Sequence, residues 1–322
     1  MQSFWSIWSS AIVEYLYLGK NWGQNQRTDR PIYLNLADRD CQRKSSQWYN
    51  IWMGENSQFK LPQRSRLDPQ VYIIGVGPGD PDLLTVKGQR IIATAAVILY
   101  ADSLIPDRIL EHARPDAEII KTSDLTLEQI VAIVVERVQS GVTIARLHSG
   151  DLTLYSAITE QIRAFDIAGI SVELVPGISA FQAAAAKLQV ELTVPEIVQT
   201  IILTRPTGRA SMVPPAEDLA SLAAHQASLC LYLAARHVAA AQAQLLQHYP
   251  PQTPVAICFR VGWEDEQIWI VPLTEMATVT ARENLVRTTM YIISPALVEI
   301  TGEGSQTRSR LYHPHHQRLF RP

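Results

Sequence analysis

From Val71 onward the chain alternates short β-branched runs with stretches of helical period, and this alternation restricts its fold more than any other feature. VYIIGV, VILYA, AEIIKT, VTIARLH and ISVELVP read as strands. Between and after them, LLTVKGQRIIATA, TLEQIVAIVVERVQS, YSAITEQIRAF and an alanine-rich stretch from Ser179 read as helices. In the second of these Leu127, Ile130, Val131, Val134 and Val138 recur on one face, Thr126 with Gln129 forms a capping box, and Gly141 ends the helix. Ser179 and Gln182 make a second capping box. Strand–helix alternation implies a mostly parallel sheet covered on both faces.

A second unit begins near Pro195, with strand-like runs TIILT, SLCLYLA, PVAICFRV, QIWIVPL and TTMYIIS and helical segments around 217–224 and 238–247. The expected organisation is two consecutive α/β domains, 71–190 and 195–300, hinged at 190–195 with a ligand cleft between them, and a tail over 301–322. Residues 1–68 differ from the rest: they hold Trp5, Trp8, Trp22, Trp48 and Trp52 with many Gln, Asn and Arg, and no function is assigned to them. Their apolar start is too short to span a bilayer, is interrupted by Glu14, and lacks a basic leader.

Composition narrows the partners. With 28 basic against 31 acidic side chains and no basic tract, no nucleic acid is expected. Cys41, Cys230 and Cys258 lie far apart, so neither a disulfide framework nor a CxxC motif arises, and a reducing, cytoplasmic setting is expected. His313, His315 and His316 lack Cys or spaced acidic partners, so no metal site is expected.

Three strand-to-helix junctions could carry chemistry. Gly75-Val76-Gly77-Pro78-Gly79-Asp80 follows the first strand, with Asp80 as helix cap and Pro81 at the first helical position. A dinucleotide fingerprint would place glycine where Asp80 stands, so the match to GxGxxG is incomplete. Asp102, in YADSL at the end of the second strand, sits where a ribose-binding acid would lie, which keeps an NAD(P)-dependent oxidoreductase in play; it could equally cap a helix, or handle a proton. His148-Ser149-Gly150-Asp151 also ends a strand; adjacent strand residues point to opposite faces and no GxSxG surrounds Ser149, so a Ser/His hydrolase is disfavoured. The third junction is Val175-Pro176-Gly177-Ile178-Ser179-Ala180.

Taken in order, GVGPGDPDLLTVKG, YADSLI, RLHSGDLTLYSAITEQ, VPGISAFQAAAAKL, QTIILTRPTGR, PVAICFR and SRLYHP resemble the tetrapyrrole (corrin/porphyrin) methylase family from about Val71 to Arg321. The segment TRPTGRASMVPPAEDLASLAAH narrows the resemblance to a member acting on a corrin precursor. The resemblance implies two α/β domains, a homodimer, and S-adenosylmethionine as methyl donor in the cleft. By position it places the donor against Pro78, Ser149, Gly150, Asp151, Leu154, Ser179, Ala180, Leu233, Val261 and Thr289. Two departures fall at the cofactor turn: many members have Pro and Gly where this chain has Leu152 and Ser156.

The implied reaction is C-methylation of a tetrapyrrole, with Asp102 as candidate for proton transfer or substrate positioning. The substrate's many carboxylates would favour bidentate arginines at the rim, for which Arg205, Arg209 and Arg108 are candidates, an exposed solvated arginine being the plain alternative for each. Another family member acting at a different carbon, and the oxidoreductase, are the competing readings.

Overall fold

The computed structural model describes residues 70–208 and 212–298, all within one compact unit spanning residues 67–322. The Trp-rich leader, Arg209, Cys41 and the C-terminal histidines lie outside the described residues.

The first sheet contains β1 (Val71–Gly75), β2 (Val97–Tyr100), β3 (Glu118–Lys121), β4 (Ile144–His148) and β5 (Val172–Val175) in the order β3-β2-β4-β1-β5, every pairing parallel. Residues alternate between its two faces as a strand period requires. Val71, Ile73, Val97, Leu99, Ile144 and Val172 pack under α2 (Leu127–Gln139) and α3 (Ile158–Ile167). Ile74, Ile98, Tyr100, Leu147 and Val175 face Ile92 of α1 (Val86–Thr94) and Ile105 and Ile109 of the following turn. Both faces are covered, as the continuous apolar strands anticipated.

The local signals hold with one correction. Thr126 and Gln129 form their capping box, and Gly141 adopts φ 77° just past α2. Asp80 caps a single 3-10 turn, Pro81–Leu83, accepting from the Asp82 N–H at 3.0 Å. The α-helix itself starts at Val86, where Thr85 accepts from Gly88 N–H.

The second sheet contains β6 (Ile201–Thr204), β7 (Ser228–Leu231), β8 (Pro254–Phe259), β9 (Gln267–Pro272) and β10 (Thr289–Ile293), ordered β6-β7-β10-β8-β9. It is mixed: β6 and β7 run parallel, while β7–β10, β10–β8 and β8–β9 are antiparallel. Leu229, Leu231, Val255, Ile257, Tyr291 and Ile293 pack against α5 (Leu219–Ala223), α6 (Val238–Leu245) and α7 (Met276–Arg282). The alternate residues Cys230, Ala256, Cys258, Met290 and Ile292 pack against Ala183, Ala184 and Leu188 of α4 (Ala180–Leu188). Thus α4 leaves the first sheet at β5 but buries its apolar face on the second sheet. The segment after it is pinned by Ser228, whose hydroxyl donates to Leu192 O at 2.7 Å and meets Ser294 Oγ at 2.6 Å. Cys230 and Cys258 are free and buried.

Among the described residues no helix is long and apolar enough to cross a membrane.

Candidate active site

Three adjacent strands, β4, β1 and β5, end in glycine-bearing loops, and these loops are in backbone contact. Gly77 and Gly150 form an antiparallel bridge, with Gly77 N–H to Gly150 O at 3.2 Å and the reciprocal bond at 2.7 Å. A Cβ on Gly75 would lie 2.7 Å from both Gly150 O and Gly177 N; one on Gly177 would collide with Gly150 O and come within 2.5 Å of Gly75 C. Only glycine permits this approach at the two positions. Asp151 Oδ2 accepts from Gly177 N–H at 3.1 Å and Oδ1 from Thr153 N–H at 2.9 Å, so its carboxylate ties the β4 loop to the β5 loop. Burial pushes the Asp151 carboxyl up, but hydrogen bonds from Thr153 and from backbone N–H groups outweigh it and hold the group below its ordinary value. A Cβ on Gly150 would meet nothing within 4 Å, so the space over this floor is open.

The opposite wall comes from one edge of the second sheet. Leu233 follows β7, Val261 follows β8 and Thr289 begins the antiparallel β10, so chain direction alone places all three at the same edge. This edge meets the first lobe: Trp263 Nε1–H donates to Pro78 O at 3.0 Å, and Ser179 Oγ lies 2.6 Å from Tyr232 Oη. Tyr155, from the turn before α3, packs on Tyr232 with ring centroids 5.2 Å apart. Tyr155 and Leu233 remain 44% and 66% exposed, which leaves apolar surface beside this contact. Pro78, Ser179, Val261 and Thr289 are buried, and Ser149, Gly150, Asp151, Leu154 and Ala180 are partly buried. The ten cofactor candidates therefore come from the junctions of two facing edges.

Asp102 leaves the end of β2. Hydrogen bonding to Ser123 is the main cause holding its carboxyl below the ordinary range, with Lys121 at 3.9 Å adding to it. Its Oδ1 is buried without a partner among the described residues. On β4, Arg146 is only 6% exposed and donates to Thr122 Oγ1 at 2.9 Å and to Gln161 Oε1 at 3.4 Å. Burial lowers the guanidinium to about 10. His148 is lowered to about 4, chiefly by burial and further by the Arg146 charge, so it is neutral at physiological pH. A neutral imidazole packed toward Arg146 and Gln161 is not the partner of Ser149, which agrees with the strand-parity argument against a hydrolase.

Arg205 follows β6, donates to Pro206 O at 3.3 Å, and lines a cavity of about 390 Å³ with Asp218, His237 and Gln244. It lies close enough to Tyr155 for its charge to oppose the upward shift that burial imposes on that phenol. Arg108 sits on the 107–112 turn and pairs with Glu264 at 3.8 Å across the lobes, both side chains being well exposed. The sequence did not single out Trp263, Arg260, Tyr155, Tyr232 or Arg146. Its one available signal was a Gly-Trp pair directly after an apolar strand, in a chain whose other tryptophans lie mostly in the leader.

The model of the Tetrapyrrole (Corrin/Porphyrin) Methylases matches residues 70–277, and the chain belongs to that family. It is 44% identical over 252 residues to the precorrin-4 C(11)-methyltransferase of Pseudomonas aeruginosa, covering 78% of this chain and 98% of that protein. It is 38% identical over 253 residues to the cobalt-precorrin-4 C(11)-methyltransferase of Methanocaldococcus jannaschii, covering 78% and 96%. The X-ray structure of a cobalt precorrin-4 methyltransferase from cobalamin biosynthesis superimposes with a TM-score of 0.68 at 36% identity, covering 70% of this chain and 95% of that one. The oxidoreductase alternative falls with these findings, and the geometry agrees. Asp80 already caps the turn where a pyrophosphate would sit, and a second anion would meet its carboxylate.

Two consequences are measurable. Gly177→Ala forces two backbones apart and is expected to cost about 3 kcal/mol, the upper end for overpacking; a loss under ~1 kcal/mol in denaturant unfolding would show that the loops are not locked as described. His148 has a folded value of about 4, against roughly 6.5 when unfolded. Between these values the unfolded chain binds the extra proton, so this contribution is intact above roughly pH 6.5 and is lost as pH falls toward 4. Comparing unfolding of the wild type and His148→Leu across that window should show their difference changing by about 2–3 kcal/mol; a constant difference would rule out the buried neutral state.

Proposed function

We propose that this chain transfers the methyl group of S-adenosylmethionine to carbon 11 of precorrin-4 or its cobalt form, a C-methylation step in cobalamin biosynthesis. The observation that carries the reading is the opposed pair of edges, a glycine floor open above Gly150 facing Leu233, Val261 and Thr289. This cleft fits the donor. The floor offers backbone groups at close approach, and the exposed faces of Tyr155 and Leu233 offer apolar surface for an adenine. When bound, the donor supplies an already activated methyl group on a sulfonium.

The protein's share is then alignment. Holding the nucleophilic carbon in line with that methyl can contribute about 7–11 kcal/mol in well-oriented cases. Pro78, Ser149, Gly150, Asp151, Leu154, Ser179, Ala180, Leu233, Val261 and Thr289 hold the donor. Arg205, Arg209 and Arg108 take substrate carboxylates, with Arg205 the best placed because it stands beside Tyr155 and opens onto the second-lobe cavity. Asp102 acts in positioning rather than as a strong base. A carboxylate held below its ordinary pKa takes protons poorly, while its ties to Ser123 and Lys121 suit it to fixing the segment after β2. The same reading places the enzyme in the cytoplasm as a homodimer, a setting with which its free, buried cysteines agree.

The test is methyl transfer from S-adenosylmethionine to precorrin-4 and, separately, to its cobalt form, followed by mass spectrometry. Arg205→Ala should raise the KM for the tetrapyrrole about 10–100-fold, as expected for one charge-assisted bond, and leave donor affinity intact. Transfer to neither form would refute the assignment.

A further inference from the structure

The corner Pro78-Gly79-Asp80 is pressed against the second lobe chiefly by Trp263 and Gly262, neither of which is among the residues assigned to the donor. Trp263 Nε1–H donates to Pro78 O at 3.0 Å. Proline has no N–H, so that carbonyl is the sole main-chain polar atom of residue 78, and the indole takes it. Gly79 lies close against the same ring: a Cβ there would collide with Trp263 Cδ1 and sit 2.7 Å from Nε1. On the other side of the contact Gly262, at φ 83°, leaves no room for a Cβ either, since it would stand 2.6 Å from Asp80 N. Two glycines, one from each lobe, thus let backbone meet backbone across the cleft.

The tryptophan is itself held from behind. The Arg260 guanidinium stacks 4.8 Å from its ring and 5.3 Å from that of Phe259, while Nη1 pairs with Asp265. The Gly262 N–H is taken by Glu266 at 2.6 Å, and Glu266 in turn pairs with Lys187 of α4 at 3.4 Å. These contacts fix the direction of the one donor that indole possesses.

We propose that Trp263 is a positioning residue for the methyl donor: by clamping the Pro78 carbonyl it fixes the first-lobe corner against the Val261 wall and so sets the width of the donor cleft. This rests on the donor-binding reading of Pro78 and Val261 given above. A phenyl group could supply the ring's apolar packing, but it has no N–H to hold the Pro78 carbonyl.

The full-length protein, Trp263→Phe, Gly79→Ala and the double variant are titrated calorimetrically with S-adenosylhomocysteine, and steady-state constants are measured for both substrates. Trp263→Phe keeps an aromatic ring and removes the N–H. Its affinity should fall about tenfold, the scale of one hydrogen bond, and the KM for S-adenosylmethionine should rise in step. The KM for the tetrapyrrole should stay within about twofold, a split that general loosening of the fold would not produce. Gly79→Ala keeps the indole but drives the corner off it, and should give the same signature. The double variant should lose no more than the worse single one, because both release the same contact. Trp263→Phe binding as tightly as the wild type, or losses that multiply in the double variant, would overturn the clamp. If the unaltered protein takes up no S-adenosylhomocysteine, the donor-site reading falls and the clamp falls with it.

Discussion

The site depends on one packing constraint: the ends of β1, β4 and β5 approach so closely that their loops touch through Gly75, Gly150 and Gly177. Such contact needs three neighbouring parallel strands ending at one level. The register supplies this, with Gly75 opposite His148 and Ile74 opposite Val175. Asp151 then completes the lock, because a carboxylate reaching from one loop to the N–H of the next replaces solvent for both. The same hydrogen bonds that keep Asp151 ionised therefore hold the floor of the cleft in shape. Ligand recognition and local stability are here a single set of contacts.

The second constraint is the path of α4. Its N-terminus is built into the glycine floor by the Ser179–Gln182 capping box, and its body is buried on the second sheet. One rigid helix of nine residues thus carries the position of Gly177 into the second lobe. Ser179 meets Tyr232 directly after β7, Lys187 meets Glu266 beyond β8, and Leu192 O is held by Ser228. A mixed, largely antiparallel sheet suits this role. Because β10 runs against β7 and β8, its beginning and their ends fall on one edge, and a single edge can offer three loops to the cleft.

Much of the first lobe was legible because its signals are local. β-branched runs of four or five residues, two capping boxes and glycine stops each specify their own neighbourhood, and they specify it consistently. The extent of the first helix was misjudged because Asp80 and Thr85 are both competent caps, and only the intervening 3-10 turn separates their roles. In the second lobe α7 went unseen. Its run MATVTAR is rich in residues that favour strands, and it is helical because Met276, Val279 and Thr280 are buried while Thr280 Oγ1 donates back to Met276 O at 2.8 Å. The donor residues reached the site through family resemblance. Trp263 and Arg146 have no such local signature, because what defines them is a partner more than a hundred residues away in one case and the loss of solvent in the other.

The departures at the cofactor turn show how the chain replaces family residues without opening the loop. Leu152 stands where many relatives have proline, and it is buried in the core cluster that includes Phe165 and Ile144. Apolar contact therefore fixes the segment that a proline would fix through φ. Ser156 stands where many have glycine, yet the left-handed backbone falls on its neighbours, Tyr155 at φ 54° and Ala157 at φ 50°. Each such residue costs about 1–2 kcal/mol. Offsetting contacts are at hand: the Ser156 hydroxyl bonds back to Leu152 O, and the Tyr155 ring lies on Tyr232. The strained turn is what carries Tyr155 out of the first lobe and onto the second. The backbone cost is thus tied to the contact that narrows the cleft beside Ser179, and a glycine at 156 without the aromatic pair would relieve the strain while losing that wall.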